Sequence, residues 1–426
     1  MSTITYETLR HAIDHAAAIR AVTRLEPAGG PGDKVFPPTY VKERNAQTKY
    51  AFERRQIDGR TVDTVLLDSV ASQANRMEEA LLEGYRRGEL AFPLVEVDFS
   101  GVEKLEDLDR VTALQAPHRI ADALLRDSLL GGVPFRHSDV GRAITDARPN
   151  HATAMYQYCP TALVFGCWDS TGPKGGLGSK FQRSLVSEIV GVDAVPGVKT
   201  ASRIDPAGIQ KNAGPVYQSK ANKDDWTTIE SEASKDGTKL KLFSRTGGEG
   251  KDKGSPATIN HGNIPPSIDS DAGGVTIDHA RQTIVLSLGG LRRLRFQTRT
   301  DGKRLDDKLR PAAETAARTA LAALALAAVV HQRDNDFDLR SRSVLVAKEP
   351  LTFEVLDRNG GPPTRFTLDR AQANALVTQA AKEAEKLGLG WVTTPITMVP
   401  APKLAKLIQV SREQAAAGLA DDGTTA

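Results

Sequence analysis

Hydrophobic and polar positions along this chain alternate in blocks whose period changes every few dozen residues. The first 25 residues read as an amphipathic helix followed by a short apolar stretch, and the turn-rich segment EPAGGPGDK comes next. KYAFERRQIDGRTVDTVLLDS alternates on both sides of Asp58-Gly59, which predicts a β-hairpin. SVASQANRMEEALLEGYRRG sets its apolar residues at helical spacing and stops at a glycine. FPLVEVDFS predicts a strand, APHRIADALLRDSLLGG and HSDVGRAITDA predict helices, and ALVFGCW predicts a buried strand. SLVSEIVGVDAV is strand-like. From about Lys211 to Gly274 the chain is polar with little to bury, so an insertion or flexible extension is expected there. TIVLSLGGLRRLRF then reads as a strand, RSVLVAKEPLTFEVL as a strand pair, and about Leu368–Leu387 as a helix stopped by Gly388. Residues 412–426 are expected to be a disordered tail. The irregular alternation, with no repeat period, predicts an α+β domain carrying large insertions.

TALAALALAAVV, Thr319 to Val330, is the most lipid-like stretch, but it is too short to cross a bilayer and is expected to be a buried helix. The N-terminus lacks the apolar core of a signal peptide, so a cytoplasmic protein without a membrane partner is expected. Cys159 and Cys167 have no further cysteines with which to complete a metal site and read as buried free thiols. No cofactor is implied.

CPTALVFGCWDSTGPKGGLGSKFQRSLVSEIVG, Cys159 to Gly191, resembles the start of a phosphate-binding loop. A P-loop requires Gly-Lys followed by Ser or Thr, and here Gly178 is followed by Ser179 and then Lys180. The dinucleotide pattern fails as well. Two readings stay open: a surface turn, or a loop whose backbone N–H groups, with Lys174, Lys180 and Arg183, meet phosphodiester oxygens.

Net charge, only +3, hides separated runs. Thr171–Lys220 holds seven Lys/Arg against three Asp/Glu, and Gly289–Arg310 holds eight against three. VKERNAQTKYAFERRQ adds five basic residues against two acidic, whereas Glu96–Asp109 holds six acids and one lysine. One such run is an ordinary solvated face; three together favour a polyanion partner. Aromatic residues are 5% of the chain, and no aromatic strand of the kind that stacks single-stranded bases is visible. Binding through charge and N–H donors is the better fit. The eight histidines show no metal spacing, and no catalytic constellation is apparent. Asp33, a lone acid in PGDKVF, could serve metal-dependent RNA cleavage, or simply be a turn residue.

LLDSVASQANRMEEALL, APHRIADALLRDS, the Cys159–Gly191 stretch and TASRIDPAGI together resemble the backbone subunit of the type I-G (formerly I-U) CRISPR effector complex, of the RAMP superfamily. The resemblance covers roughly Val62–Gln210. It implies a single modified RRM-like, ferredoxin-like palm over residues 1–426, with large insertions that include a thumb-like hairpin. The thumb falls either in the polar insertion at 211–274 or around Glu96–Ala116. Copies of such a subunit stack head-to-tail into an open filament along a guide RNA, which pairs with a target DNA strand. The implied partners also include a large subunit, a processing or capping subunit and a recruited helicase-nuclease. The implied role is non-catalytic antiviral defence, with a metal-dependent target-RNA endonuclease of the same superfamily, using Asp33, as the alternative. Matched phrases place RNA contacts at Ser72, Gln73, Asn75 and Arg76, at His118 and Arg119, at Trp168, Lys174, Lys180 and Arg183, and at Arg203. Arg44, Lys49 and Arg54 are added on charge alone.

Overall fold

The computed structural model describes residues 2–172, 179–244 and 254–416. Contacts divide them into two compact units. The larger combines the chain up to Pro38 with Ala51–Val195 and Thr276–Glu413; the smaller joins Thr39–Tyr50, Pro196–Val275 and the segment from Gln414.

In the larger unit, Thr5 caps helix α1 (Tyr6–His15), whose residues Tyr6, Leu9, Ala12 and Ile13 are buried at helical spacing. Strand β1 (Ala16–Pro27) follows directly. β2 (Phe52–Ile57) and β3 (Arg60–Asp68) form the expected hairpin. Its turn residues Asp58 and Gly59 both have positive φ, 50° and 78°, which is why Asp-Gly suits it. Ser69 caps α2 (Val70–Arg86), and Gly88, at φ 72°, lies just beyond its end. β4 (Leu185–Val192), β5 (His279–Ser287), α3 (Arg310–Asp334), β6 (Val344–Ala347), β7 (Phe353–Asp357), β8 (Thr364–Thr367) and α4 (Arg370–Lys386) complete the frame. α4 starts with a reciprocal capping box between Asp369 and Gln372.

The main sheet runs Ser2–Thr3, β8, β7, β1, β5, β4, β3, β2, and β6 also pairs with β1. Within it, β1-α2-β4-β5-α3-β7 follows a β-α-β-β-α-β order, and the strands lie in space as β7-β1-β5-β4. Every neighbour in that set is antiparallel. This fourth-first-third-second arrangement is ferredoxin-like, as expected. A second sheet orders Arg110–Thr112, Val95–Asp98, Ile396–Pro400, Ser128–Leu130 and Val133–Pro134. Glu96–Ala116, one candidate thumb, therefore starts in a strand of this sheet rather than forming a free hairpin.

α3 is buried from Ala313 to Gln332. It has the length and apolarity of a membrane span, but its apolar window is wholly enclosed by protein. Its alanines let α1, α2 and α4 pack against it closely. Gly84 on α2 is one close approach: a Cβ there would lie 2.7 Å from the His331 ring on α3. That ring is held by a 2.7 Å hydrogen bond between Nε2 and Asn374 Oδ1. Gly84→Ala, ordinarily favourable in a helix, is therefore expected to destabilise by about 1–3 kcal/mol, read from a lowered urea midpoint at unchanged slope.

Three segments depart from their expected form. ALVFGCW is a short helix, Thr161–Phe165, ended by Gly166 at φ 84°, and then a two-residue strand, Cys167–Trp168. A fully buried run has no polar side to reveal its period. APHRIADALLRDSLLGG breaks into the turns Arg119–Ala121 and Ala123–Arg126, divided by Asp122, which is extended and caps the second turn; a strand, Ser128–Leu130, follows. Residues 412–416, expected in the tail, finish the helix Pro402–Ala416, where Arg412 donates to both Asp107 carboxylate oxygens. The rest of that tail lies outside the described residues.

Among its described residues the smaller unit has short antiparallel pairs of Lys199–Arg203 with Ile264–Asp269, Tyr217–Gln218 with Trp226–Thr227, and Lys235–Asp236 with Lys239–Leu240. Val216, Tyr217, Ala233 and Phe243 are buried there, so the polar stretch does have something to pack. Residues 245–253 lie outside the described part.

Candidate nucleic-acid interface

Gly166 sets the geometry of the site. A Cβ on it would lie 2.8 Å from Arg183 Cγ and 3.0 Å from the Arg183 amide nitrogen, so only glycine lets the returning strand pass this close. Cys167–Trp168 pairs antiparallel with Lys180–Phe181, placing Trp168 opposite Lys180 and Cys167 opposite Phe181. Cys167 and Phe181 are buried, which turns Trp168 and Lys180 outward together. The Lys180 ammonium sits 5.3 Å from the Trp168 ring centroid, a cation–π distance. Ser179, next to Lys180, donates to Ile144 O (2.6 Å), and Arg136 Nη2 grips both carboxylate oxygens of Asp169 (2.6 and 2.7 Å).

Beside this ribbon opens a cavity of about 630 Å³, with His118, Arg119, Trp168, Lys180, Arg183 and Arg293 in its wall. Arg119 is buried there. It occupies a left-handed backbone position, φ 51°, and forks onto Glu78 of α2, Nε to Oε1 at 2.6 Å and Nη2 to Oε2 at 2.7 Å. Burial pushes the Glu78 carboxyl up to about 7, against the pull of Arg119. Burial and the charge of Arg119 lower the pKa of the Arg183 guanidinium. Arg293 donates to Gln182 Oε1 at 2.7 Å rather than to a carboxylate. With Arg119 matched by Glu78, the wall keeps Lys180, Arg183 and Arg293 as cations facing the cavity. Such a wall has the charge to receive an anion. Burial also raises the thiols of Cys159 and Cys167, to about 11 and about 12, which keeps them protonated and inert.

The cavity thus gathers five of the residues singled out from the sequence: His118, Arg119, Trp168, Lys180 and Arg183. Arg119 needs correction, because its guanidinium is committed to Glu78 and to Gly166 O (3.4 Å) and is not a free phosphate contact. Gln73 needs correction too. It is fully buried, donates to Asp68 Oδ2 (2.6 Å), and accepts from Ser187 Oγ (2.7 Å) and Gln282 Nε2 (2.9 Å). No surface ligand reaches it. Ser72 and Arg76 also donate to the buried Asp68, at 2.7 and 3.0 Å, and Arg76 further donates to Leu339 O. Asn75 is exposed on α2. Arg54 is exposed on the edge strand β2, 3.6 Å from Asp63. Arg203, in the smaller unit, donates to the carbonyls of His261 (2.6 Å) and Gly262 (2.8 Å) and shapes that loop. Arg44 and Lys49 are exposed in the same unit. Lys174 lies outside the described residues.

Two residues of the site were not picked out individually from the sequence. Arg293 belongs to a basic run whose members alone do not say which one faces a cavity, and Glu78 carries no signal beyond its helix. Asp33 is exposed in its loop and accepts from the Lys34 amide (2.9 Å). Among the described residues no group of three or more His, Cys, Asp or Glu is placed to hold a metal ion.

Fold and cavity together describe an α+β protein with a ferredoxin-like core and a cationic, aromatic-walled site. The family model described as CRISPR-associated protein GSU0053 matches residues 19–196. That span takes in most of β1, all of β2 to β4, Glu78 and both strands of the Cys167–Trp168 and Lys180–Phe181 pair. The likeness supports a CRISPR-associated protein with a part in CRISPR defence. A search of curated proteins finds no match.

Proposed function

We propose that this chain is a non-catalytic, RNA-binding backbone subunit of a cytoplasmic type I-G CRISPR effector complex, polymerising along the guide RNA and presenting it to target DNA. The observation that carries this reading is the convergence of Lys180, Arg183, Arg293 and Trp168 on one cavity, three of the four within the matched segment. The cations serve phosphates, and the protein reads backbone while base pairing reads sequence. In the smaller unit, the ribbon of Lys199–Arg203 and Ile264–Asp269 leaves Ile264 and Ile268 exposed, and it is the segment that suits a thumb.

The purified protein is expected to carry RNA, seen as excess absorbance at 260 nm, and to become smaller on RNase treatment. Its affinity for single-stranded RNA should fall with salt, and Lys180→Ala/Arg293→Ala should flatten the log–log salt slope by roughly 0.7 for each phosphate no longer neutralised. A chain that runs as an RNA-free monomer at moderate salt and ignores added guide RNA overturns the reading. Cleavage of bound target RNA that vanishes in Asp33→Ala would replace it with the nuclease reading.

A further inference from the structure

We infer that the cavity takes up one unstacked nucleotide base against Trp168, while Lys180, Arg183 and Arg293 hold the phosphates flanking it. This rests on the RNA-binding reading and narrows it: the site receives a base as well as a backbone.

A wall that met phosphates alone would need cations and N–H donors, not an indole. Yet Trp168 is 56% exposed, in a chain with only three tryptophans. The strand register keeps it there. With Cys167 and Phe181 committed to the core, the ring cannot turn inward without slipping the pair by one residue. An indole kept outward in a cavity wall is a stacking surface, and stacking tolerates any base because every base has a π-face. The cavity volume falls in the range of small-ligand pockets, about 300–1,000 Å³, enough for a nucleotide. Polar groups in its lining, His118, Ser170 and Gln182, can meet a base edge, and the Lys180 ammonium, over the ring at 5.3 Å from its centroid, leaves the opposite face of the indole for a base while staying within a nucleotide's reach.

The test uses the full-length protein and two probes of equal length: a fluorescein-labelled single-stranded oligoadenylate RNA, and the corresponding abasic ribose-phosphate strand. In anisotropy titrations Trp168→Ala is expected to weaken the oligoadenylate roughly tenfold, leave the abasic strand unchanged and leave the salt slope unchanged. Trp168→Phe should recover most of the loss. Truncating this exposed ring opens no hole in the core, and the retained affinity for the abasic strand checks directly that the variant is folded. If Trp168→Ala binds both strands like the wild type while Lys180→Ala/Arg293→Ala weakens both, the cavity holds backbone only; the inference falls and the RNA-binding reading stands. If the wild type binds neither strand, both fall.

Discussion

Glu78→Ala is expected to destabilise the folded chain by about 3–5 kcal/mol, because it strands a buried guanidinium. Arg119 is 7% exposed, and its fork onto Glu78 supplies two of the three hydrogen bonds its guanidinium donates. The remaining partners, Gly166 O at 3.4 Å and the Phe165 ring at 5.7 Å, cannot replace a carboxylate. The loss should appear as a lower urea midpoint at unchanged slope. Replacing both partners with apolar residues of similar size, Glu78→Met with Arg119→Leu, should recover much of it, since neither charge is then left behind. A single-variant loss below about 1 kcal/mol would mean that water reaches the pair and that it is worth no more than a surface bridge. The pair also supports the cavity, because Arg119 forms part of its wall.

Asp68→Ala should cost a similar amount, about 3–5 kcal/mol, by a different route. Asp68 is fully buried at the end of β3 and receives Ser72 Oγ, Gln73 Nε2 and Arg76 Nε; Arg340 Nη2 lies 3.5 Å from it. Removing it orphans the buried Gln73 amide and takes the carboxylate away from Arg76 and Arg340, which keep backbone carbonyls as acceptors. Asp68→Asn keeps the shape and one acceptor, so its loss should be smaller. Hydrogen exchange at the N-terminal turns of α2 should rise more than in α4, which Asp68 does not touch. Equal protection in both helices would show that Asp68 does not hold α2 to β3.

Much of this frame is legible in the sequence because its signals are local. Asp58-Gly59 announces a turn, Gly88 stops α2, and Gly388 stops α4. What escapes is non-local. The ferredoxin-like order emerges only when β4 meets β5 across the insertion, pairing Val192 with His279. The Thr161–Trp168 run is buried on all sides except its last residue, so its pattern holds no period to read. At the site, the glycine-rich ribbon points to Trp168, Lys180 and Arg183, whereas residue type cannot tell that Arg119 and Gln73 are already satisfied. Their partners, Glu78, Ser187 and Gln282, come from other elements, and one carboxylate 41 residues away turns Arg119 from a candidate RNA ligand into a brace.

The position of β5 bears on how the chain can be made. It lies between β1 and β4, yet it leaves the ribosome after both, with the smaller unit in between. Until His279–Ser287 has been synthesised, β1 and β4 each offer an unpaired flank at what will become the middle of the sheet. Closure then depends on pairings distant in sequence, which form slowly and leave apolar edges open to other chains. Residues 19–196 are thus a recognisable sequence but not a unit of folding: cut there, the chain has the two strands that should enclose β5 and nothing to put between them.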